Sequence, residues 1–158
     1  MIEIKIDNQT AMTGAFRRLA ATAGNLRPAL DDIGERLAES TKRRFSTSTA
    51  PSGKHWKKNR PSTLARKKNP LPLVRLGDLQ DTIHYRASGQ RLEVGSPMIY
   101  AAAQQFGARR GAFGKTRHGV PIPWGDIPAR PFLGISRQDS SNILDILADH
   151  LKNSLARG

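Results

Sequence analysis

Ile127-Pro128-Ala129-Arg130-Pro131-Phe132-Leu133-Gly134-Ile135-Ser136 is the stretch where this chain turns from irregular to ordered. Pro131 fixes its own φ and carries no N–H, and the residue before each proline is pushed toward extended geometry. The segment therefore reads as a stiff lead-in that delivers Phe132, Leu133 and Ile135 into a sheet, with Arg130 at its rim. Phe132 and Leu133 are expected in the core, and Arg130 in a contact that braces the domain or joins two subunits. A helix follows directly. Ser136 or Asp139 caps it, Ile143, Leu144, Leu147, Leu151 and Leu155 form its apolar face, and Lys152 and Arg157 lie at its cation-favouring end.

Upstream of this stretch, residues 108–126 form an irregular basic arm with Arg109, Arg110, Lys115, Arg117, several glycines and Pro121-Ile122-Pro123. Before it, Ile99 to Phe106 reads as a short helix closed by Gly107. Ile83, Tyr85 and Ala87 alternate with polar residues, as do Leu92 and Val94, and Ser88-Gly89-Gln90 between them predicts an antiparallel hairpin. Leu76, Leu79 and Ile83 suggest one or two helical turns. Residues 46–73 have no periodicity, are rich in turn formers and lysine, and form a first arm, with a short helix over 62–68 as a candidate interruption. A connection of that length is functional or disordered more often than not, so it is expected to be mobile in the free protein.

Two helices and a strand open the chain. Ile2, Ile4 and Ile6 alternate with Glu3, Lys5 and Asp7, the period of a half-buried strand. Met12, Ala15, Phe16, Leu19 and Ala23 mark a helix stopped near Gly24. Leu26, Leu30, Ile33, Leu37 and Phe45 mark a second helix, with Asn25 as cap, Pro28 in the first turn and Asp31, Asp32 and Glu35 in the N-terminal half. The sum is a single α+β domain over 1–158: a small, mostly antiparallel sheet of about four strands, three to four helices and two long basic arms.

Charge is the strongest compositional signal. The formal net charge is +13 with a pI near 11.1, which favours polyanions or acidic protein surfaces, or else is a solvated basic surface. There is no cysteine, which excludes disulfides and thiolate metal sites. The first residues lack the basic head and apolar run of a signal peptide, and no apolar stretch approaches membrane-spanning length, so a soluble intracellular protein is expected.

Catalytic chemistry finds little to stand on. His55, His84, His118 and His150 show no metal-ligand spacing, so no metal, cofactor or catalytic residue is assigned. His55 with His118 would be the acid–base pair of a small basic nuclease, the least favoured reading. Trp56 among Lys54, Lys57, Lys58 and Arg60 has three readings: a base-stacking residue in an electrostatic footprint, a pin holding its arm to the body, or an anchor in a neighbouring subunit. Trp124 near Arg117 and Arg130 is a weaker echo. Lys67 and Lys68 extend the basic arm.

Several motifs recur in a telling order. Pro51-Ser52-Gly53-Lys54-His55-Trp56 follows Phe45; then come Thr63-Leu64 with Lys67, Leu76-Gly77-Asp78-Leu79 with Thr82-Ile83, Gly95-Ser96, Tyr100-Ala101-Ala102, Gln105-Phe106-Gly107, and finally Ile127 to Gly134. This order resembles the phage virion morphogenesis, or tail completion, family of Mu-like and P2-like contractile-tailed phages and prophages. Gln104 stands where the family pattern has histidine, and Leu76 where threonine often precedes the glycine. The resemblance implies a structural protein, not an enzyme. It would be made in the host cytoplasm, incorporated in the virion, and complete the tail tube at the head–tail joint. Its partners would be further copies of itself in a ring, the tail tube and the connector proteins. A ring needs two different patches, and the basic arms with Asp31, Asp32 and Glu35 are the candidate pair. Contact between the 54–68 arm and DNA is the alternative.

Overall fold

The computed structural model describes residues 10–66, 71–73 and 78–157. The strand expected over Ile2 to Ile6 lies outside them, as do Lys67 and Lys68. The longer helices follow the apolar spacing. Helix α1 spans Thr10–Ala23, helix α2 spans Arg27–Thr47 and helix α6 spans Arg137–Arg157. Three short helices lie between the last two: α3 (Pro61–Leu64), α4 (Asp78–Asp81) and α5 (Ala101–Phe106).

Helix α2 is the axis of the fold. Asn25 Oδ1 accepts a hydrogen bond from the Arg27 N–H, so the expected cap is present one residue ahead of the helix boundary. At the far end Ser48 adopts a left-handed conformation, and its N–H donates to the Arg44 carbonyl. The buried face carries Leu30, Ile33, Ala38 and Phe45, and also Arg44. Burying a leucine- or phenylalanine-sized side chain stabilises by about 1.5–3 kcal/mol, so this face outweighs differences in intrinsic helix propensity.

Each half of α2 belongs to a different core. The first half packs Leu30 and Ile33 with Met12 and Leu19 of α1, and with Ile143 and Leu147 of α6. The second half packs Ala38 and Phe45 with Trp56, Leu79, Ile83, Phe132 and Leu133. The hairpin lies across both: strands β1 (His84–Ser88) and β2 (Arg91–Gly95) pair antiparallel, from His84↔Gly95 to Ser88↔Arg91. Tyr85 opposes Val94 and Ala87 opposes Leu92, which puts one apolar face toward α2. Gly34 makes that approach close. A Cβ there would collide with the Tyr85 ring and with Leu92.

Among the described residues the sheet has two strands, not about four. The residues expected to enter it, 131–134, run without a strand partner, and three side chains take the place of one. Gln105 Oε1 accepts from the N–H groups of Phe132 (2.9 Å) and Leu133 (3.0 Å), while Gln105 Nε2 donates to the Leu133 carbonyl at 3.1 Å. The Arg44 guanidinium donates to the carbonyls of Phe132 (2.8 Å) and Gly134 (3.0 Å). Trp56 Nε1 donates to the Pro131 carbonyl at 2.8 Å. Pro131 lacks an N–H and breaks the ladder at its start, and side chains from α2, α5 and the first arm supply what a neighbouring strand would have.

Arg44 also ties this segment to α6. It pairs with Asp139, and both side chains are nearly inaccessible. Ser136 and Asp139 form a capping box: Ser136 Oγ accepts from the Asp139 N–H, and Asp139 Oδ2 accepts from the Ser136 N–H at 2.8 Å. Burial alone would raise the Asp139 pKa. Hydrogen bonds from Ser40 and from the Ser136 backbone and hydroxyl, with the Arg44 charge, outweigh it and hold the carboxyl below its usual value. Burial lowers the Arg44 pKa, and the charge and hydrogen bond of Asp139 oppose that shift. An arginine stays protonated under either influence.

Asp139→Asn leaves that buried guanidinium without its counter-charge and should cost about 3–5 kcal/mol in urea unfolding at pH 7. A carboxyl with a depressed folded pKa contributes stability above its unfolded pKa of about 3.9 and loses it as pH falls through the lower folded value. The gap between wild type and Asp139→Asn should therefore shrink as unfolding is measured at pH 4 and below. A constant gap would show that ionisation of Asp139 is not its source.

Candidate interaction surface

The first arm is fastened to the body over its first half. Past Ser48 the chain makes a tight reversal: Thr49 and His55 form an antiparallel bridge, the Ala50 N–H donates to Lys54 O, and the Trp56 N–H donates to Ser48 O. Trp56 is 5% exposed and meets the Phe45 ring edge-on, with centroids 5.6 Å apart. Of its three readings, burial opposes both base stacking and an anchor in a neighbouring subunit, because the ring is enclosed by its own chain. The side chain pins the arm to the core. The mobility expected of residues 46–73 therefore does not extend to the part up to Trp56, which this aromatic anchor ties down.

Arg130 fastens the next few residues. It is 8% exposed, and its guanidinium donates to Lys57 O (3.0 Å), Lys58 O (3.4 Å) and Asn59 Oδ1 (3.4 Å). Its own N–H donates to Gln104 O at 2.8 Å. Burial lowers its pKa, and among the described residues no carboxylate pairs with it. One arginine thus clamps the first arm to the lead-in. Lys57, Lys58 and Arg60 project from the clamped backbone and are exposed.

The second arm folds back on itself. Ala108 and Ile127 exchange both backbone hydrogen bonds, the Gly111 N–H donates to Pro123 O, Phe113 N–H to Ile122 O and Thr116 N–H to Val120 O. A bridge pairs Lys115 with Pro121 near the tip. It is an irregular hairpin, with glycines and prolines interrupting what would otherwise be a ladder. At its root Gly107 (φ +77°) lies against the 127–129 backbone, where a Cβ would come within 2.8 Å of Ile127 O. Only glycine fits there.

Among the described residues this hairpin holds four of the nine large apolar side chains left in solvent. Trp124 is 72% exposed and Phe113 59%; Val120 and Ile122 are exposed as well, and Phe106 lies just before the root. Arg109, Arg110, Lys115 and Arg117 are exposed on the same element, and Asp126 Oδ1 accepts from the Arg110 N–H. The two arms meet at the root. The space beside Gly125 is bounded by the Arg60 guanidinium, 3.3 Å from where a Cβ would sit.

The acids of α2 sit apart from both arms. Asp31 pairs with Arg27 at 2.8 Å, Asp32 with His150 at 2.6 Å, and Glu39 with Arg36 and Arg43. Glu35 makes no ion pair among the described residues. It lines a groove of about 410 Å³ between α2 and β1, with Ala38, Glu39, Ile83 and Tyr85. Its walls are apolar and its rim is mixed, with Glu35 and Glu39 beside Lys42 and His84.

His55 and His118 are exposed and make no side-chain hydrogen bond among the described residues, and none of these residues form a cluster suited to a metal ion. No described helix is long and apolar enough to cross a membrane. Two residues that shape the surface escaped the sequence reading. Gln105 gave no signal beyond its place before Phe-Gly. Arg44 did give one: helical spacing from Ile33 and Leu37 puts it, and not Arg43, on the buried face.

Comparison with known proteins supplies the class. The chain belongs to the phage virion morphogenesis family, whose model matches residues 7–152. It is therefore a structural, virion-associated protein of phage assembly. The Mu-like prophage FluMu G protein 2 of Haemophilus influenzae is 30% identical over 152 residues, covering 96% of this chain and 97% of that protein. The putative capsid assembly protein G of Escherichia phage Mu is 30% identical over 125 residues, 75% of each chain. No solved structure matches significantly.

The two tryptophans should separate in fluorescence quenching. Trp124→Phe should leave a blue-shifted emission that resists acrylamide, since Trp56 is enclosed. A readily quenched residual emission would mean that the first arm leaves the core in solution.

Proposed function

We propose that this protein completes the phage tail tube and takes part in the head–tail joint, as one subunit of a ring built by contacts between unlike surfaces. The observation that carries the reading is the 108–127 hairpin. A self-bonded finger presenting Phe113, Val120, Ile122 and Trp124 to solvent is unusual for an isolated soluble domain, where apolar surface of this kind marks a docking site. A ring requires one patch to meet a different one. The finger tip carries apolar side chains with Lys115 and Arg117, and the groove offers an apolar wall with Glu35, which has no ion pair among the described residues, as the counter-charge. Family membership gives the assembly context, and the name of the phage Mu relative points to capsid assembly, the head side of such a joint.

Electron microscopy of particles made without the protein should show missing or overlong tails, or heads without joined tails. Intact infectious particles would sink the reading. Phe113→Ser with Ile122→Ser should yield a folded protein that does not rescue those particles. Glu35→Lys should fail likewise, with partial recovery when Lys115→Glu is added; unchanged assembly in Asp31→Lys with Glu35→Lys would remove the α2 acids from the contact.

A further inference from the structure

The +13 charge is not spread evenly over the molecule. None of the 13 acids falls within residues 40–77 or 94–125, and these two stretches hold the two arms. Elsewhere five exposed arginines stand beside an acid: Arg27 with Asp31, Arg36 and Arg43 with Glu39, Arg86 and Arg91 with Glu93. Arg17, Arg18, Arg137 and Arg157 are exposed without an ion pair among the described residues, but they lie on helices and not on the arms. On the arms Lys57, Lys58, Arg60, Arg109 and Arg110 are exposed and have no ion pair among the described residues.

The fold gathers these five cations. Arg130 holds the backbone of Lys57 and Lys58, the Ala108–Ile127 bridge holds the root of the finger beside Arg109 and Arg110, and Arg60 reaches Gly125 between them. Arg130 adds a sixth positive charge beneath the surface, bound by carbonyls and an amide oxygen and by no carboxylate. Asp126 is an acid on the same hairpin, and its Oδ1 accepts from the Arg110 N–H. Cations set this close without counter-charges repel one another, and that cost is relieved by a polyanion.

We infer that the root of the finger and the clamped part of the first arm form one binding surface for the phosphate backbone of DNA. No base-reading helix or strand accompanies it, so binding is independent of sequence and driven by counterion release. The surface is distinct from the apolar tip assigned to subunit contacts. It goes beyond the assembly reading and does not depend on it. Its rigidity comes from Arg130, a positioning residue that sets where Lys57 and Lys58 stand.

The test is fluorescence anisotropy of the full chain with a random-sequence 30-base-pair duplex between about 50 and 300 mM KCl. Each phosphate contact contributes about 0.9 to the slope of log K against log salt. Lys57→Gln/Lys58→Gln/Arg60→Gln should lower the slope by about 2–3 and weaken binding about tenfold or more at 100 mM salt. Arg109→Gln/Arg110→Gln should lower the slope by about 2. Two controls should stay within about twofold of wild type: Arg17→Gln/Arg18→Gln on exposed α1, and Phe113→Ser/Ile122→Ser at the tip. All variants are first checked for a wild-type melting temperature, and any that unfolds is replaced by its single substitutions. Equal weakening by the α1 control would reduce the effect to overall charge and overturn the inference. So would equal avidity for poly-glutamate of matched charge, which would assign the surface to acidic proteins.

Discussion

Four consecutive residues, Pro131 to Gly134, must run through the second core with their backbone polar groups away from water, and this constraint organises the molecule. An unpaired buried amide or carbonyl costs about 1–3 kcal/mol, and the segment presents several. Arg44, Trp56 and Gln105 meet that demand, each from a different part of the chain. Phe132 and Leu133 can then fill the space beside Phe45, whose ring lies 5.5 Å from that of Phe132. Side chains replace a strand, and a sheet expected to be larger shrinks to a hairpin.

Two buried arginines divide the electrostatic work. Arg44 is compensated by Asp139 and joins three elements: α2, the 131–134 segment and the start of α6. Its position is fixed from both sides, since Asp139 is itself held by the capping box. Arg130 is uncompensated and uses its donors on backbone carbonyls of the first arm. One arginine closes the core; the other holds a basic segment against it.

Most of the regular structure was legible in the sequence. The apolar spacing of α2 and α6 and the alternation around Ser88-Gly89-Gln90 report local geometry, and α5, the hairpin and the burial of Phe132 follow from them. Contacts between distant residues left no such trace. Trp56 sits in a run of lysines that leaves three readings open, and local sequence cannot choose the pin among them because the carbonyl it binds is 75 residues away. The second arm concealed a hairpin for another reason. Glycines and prolines interrupt its two sides, so its few β-branched residues form no run long enough to read as a strand. The surface was legible as charge and not as shape: the lysines and arginines were visible, but their convergence on Arg130 and Gly125 was not.

The same distances along the chain set the order in which the protein can acquire its surface during synthesis. Arg44 pairs with a residue 95 positions later, Trp56 binds a carbonyl 75 positions later, and Arg130 clamps an arm made 73 positions earlier. Phe45 of α2 is there for Trp56 to meet, yet the hydrogen bonds that fasten the arm are incomplete until residues 130–139 emerge. Contacts of such separation form late and slow the final steps of folding. The basic arm is thus a loose polycation for most of translation and becomes a shaped surface only when the chain is almost finished. Truncation before Arg130 would leave the charge and remove the shape.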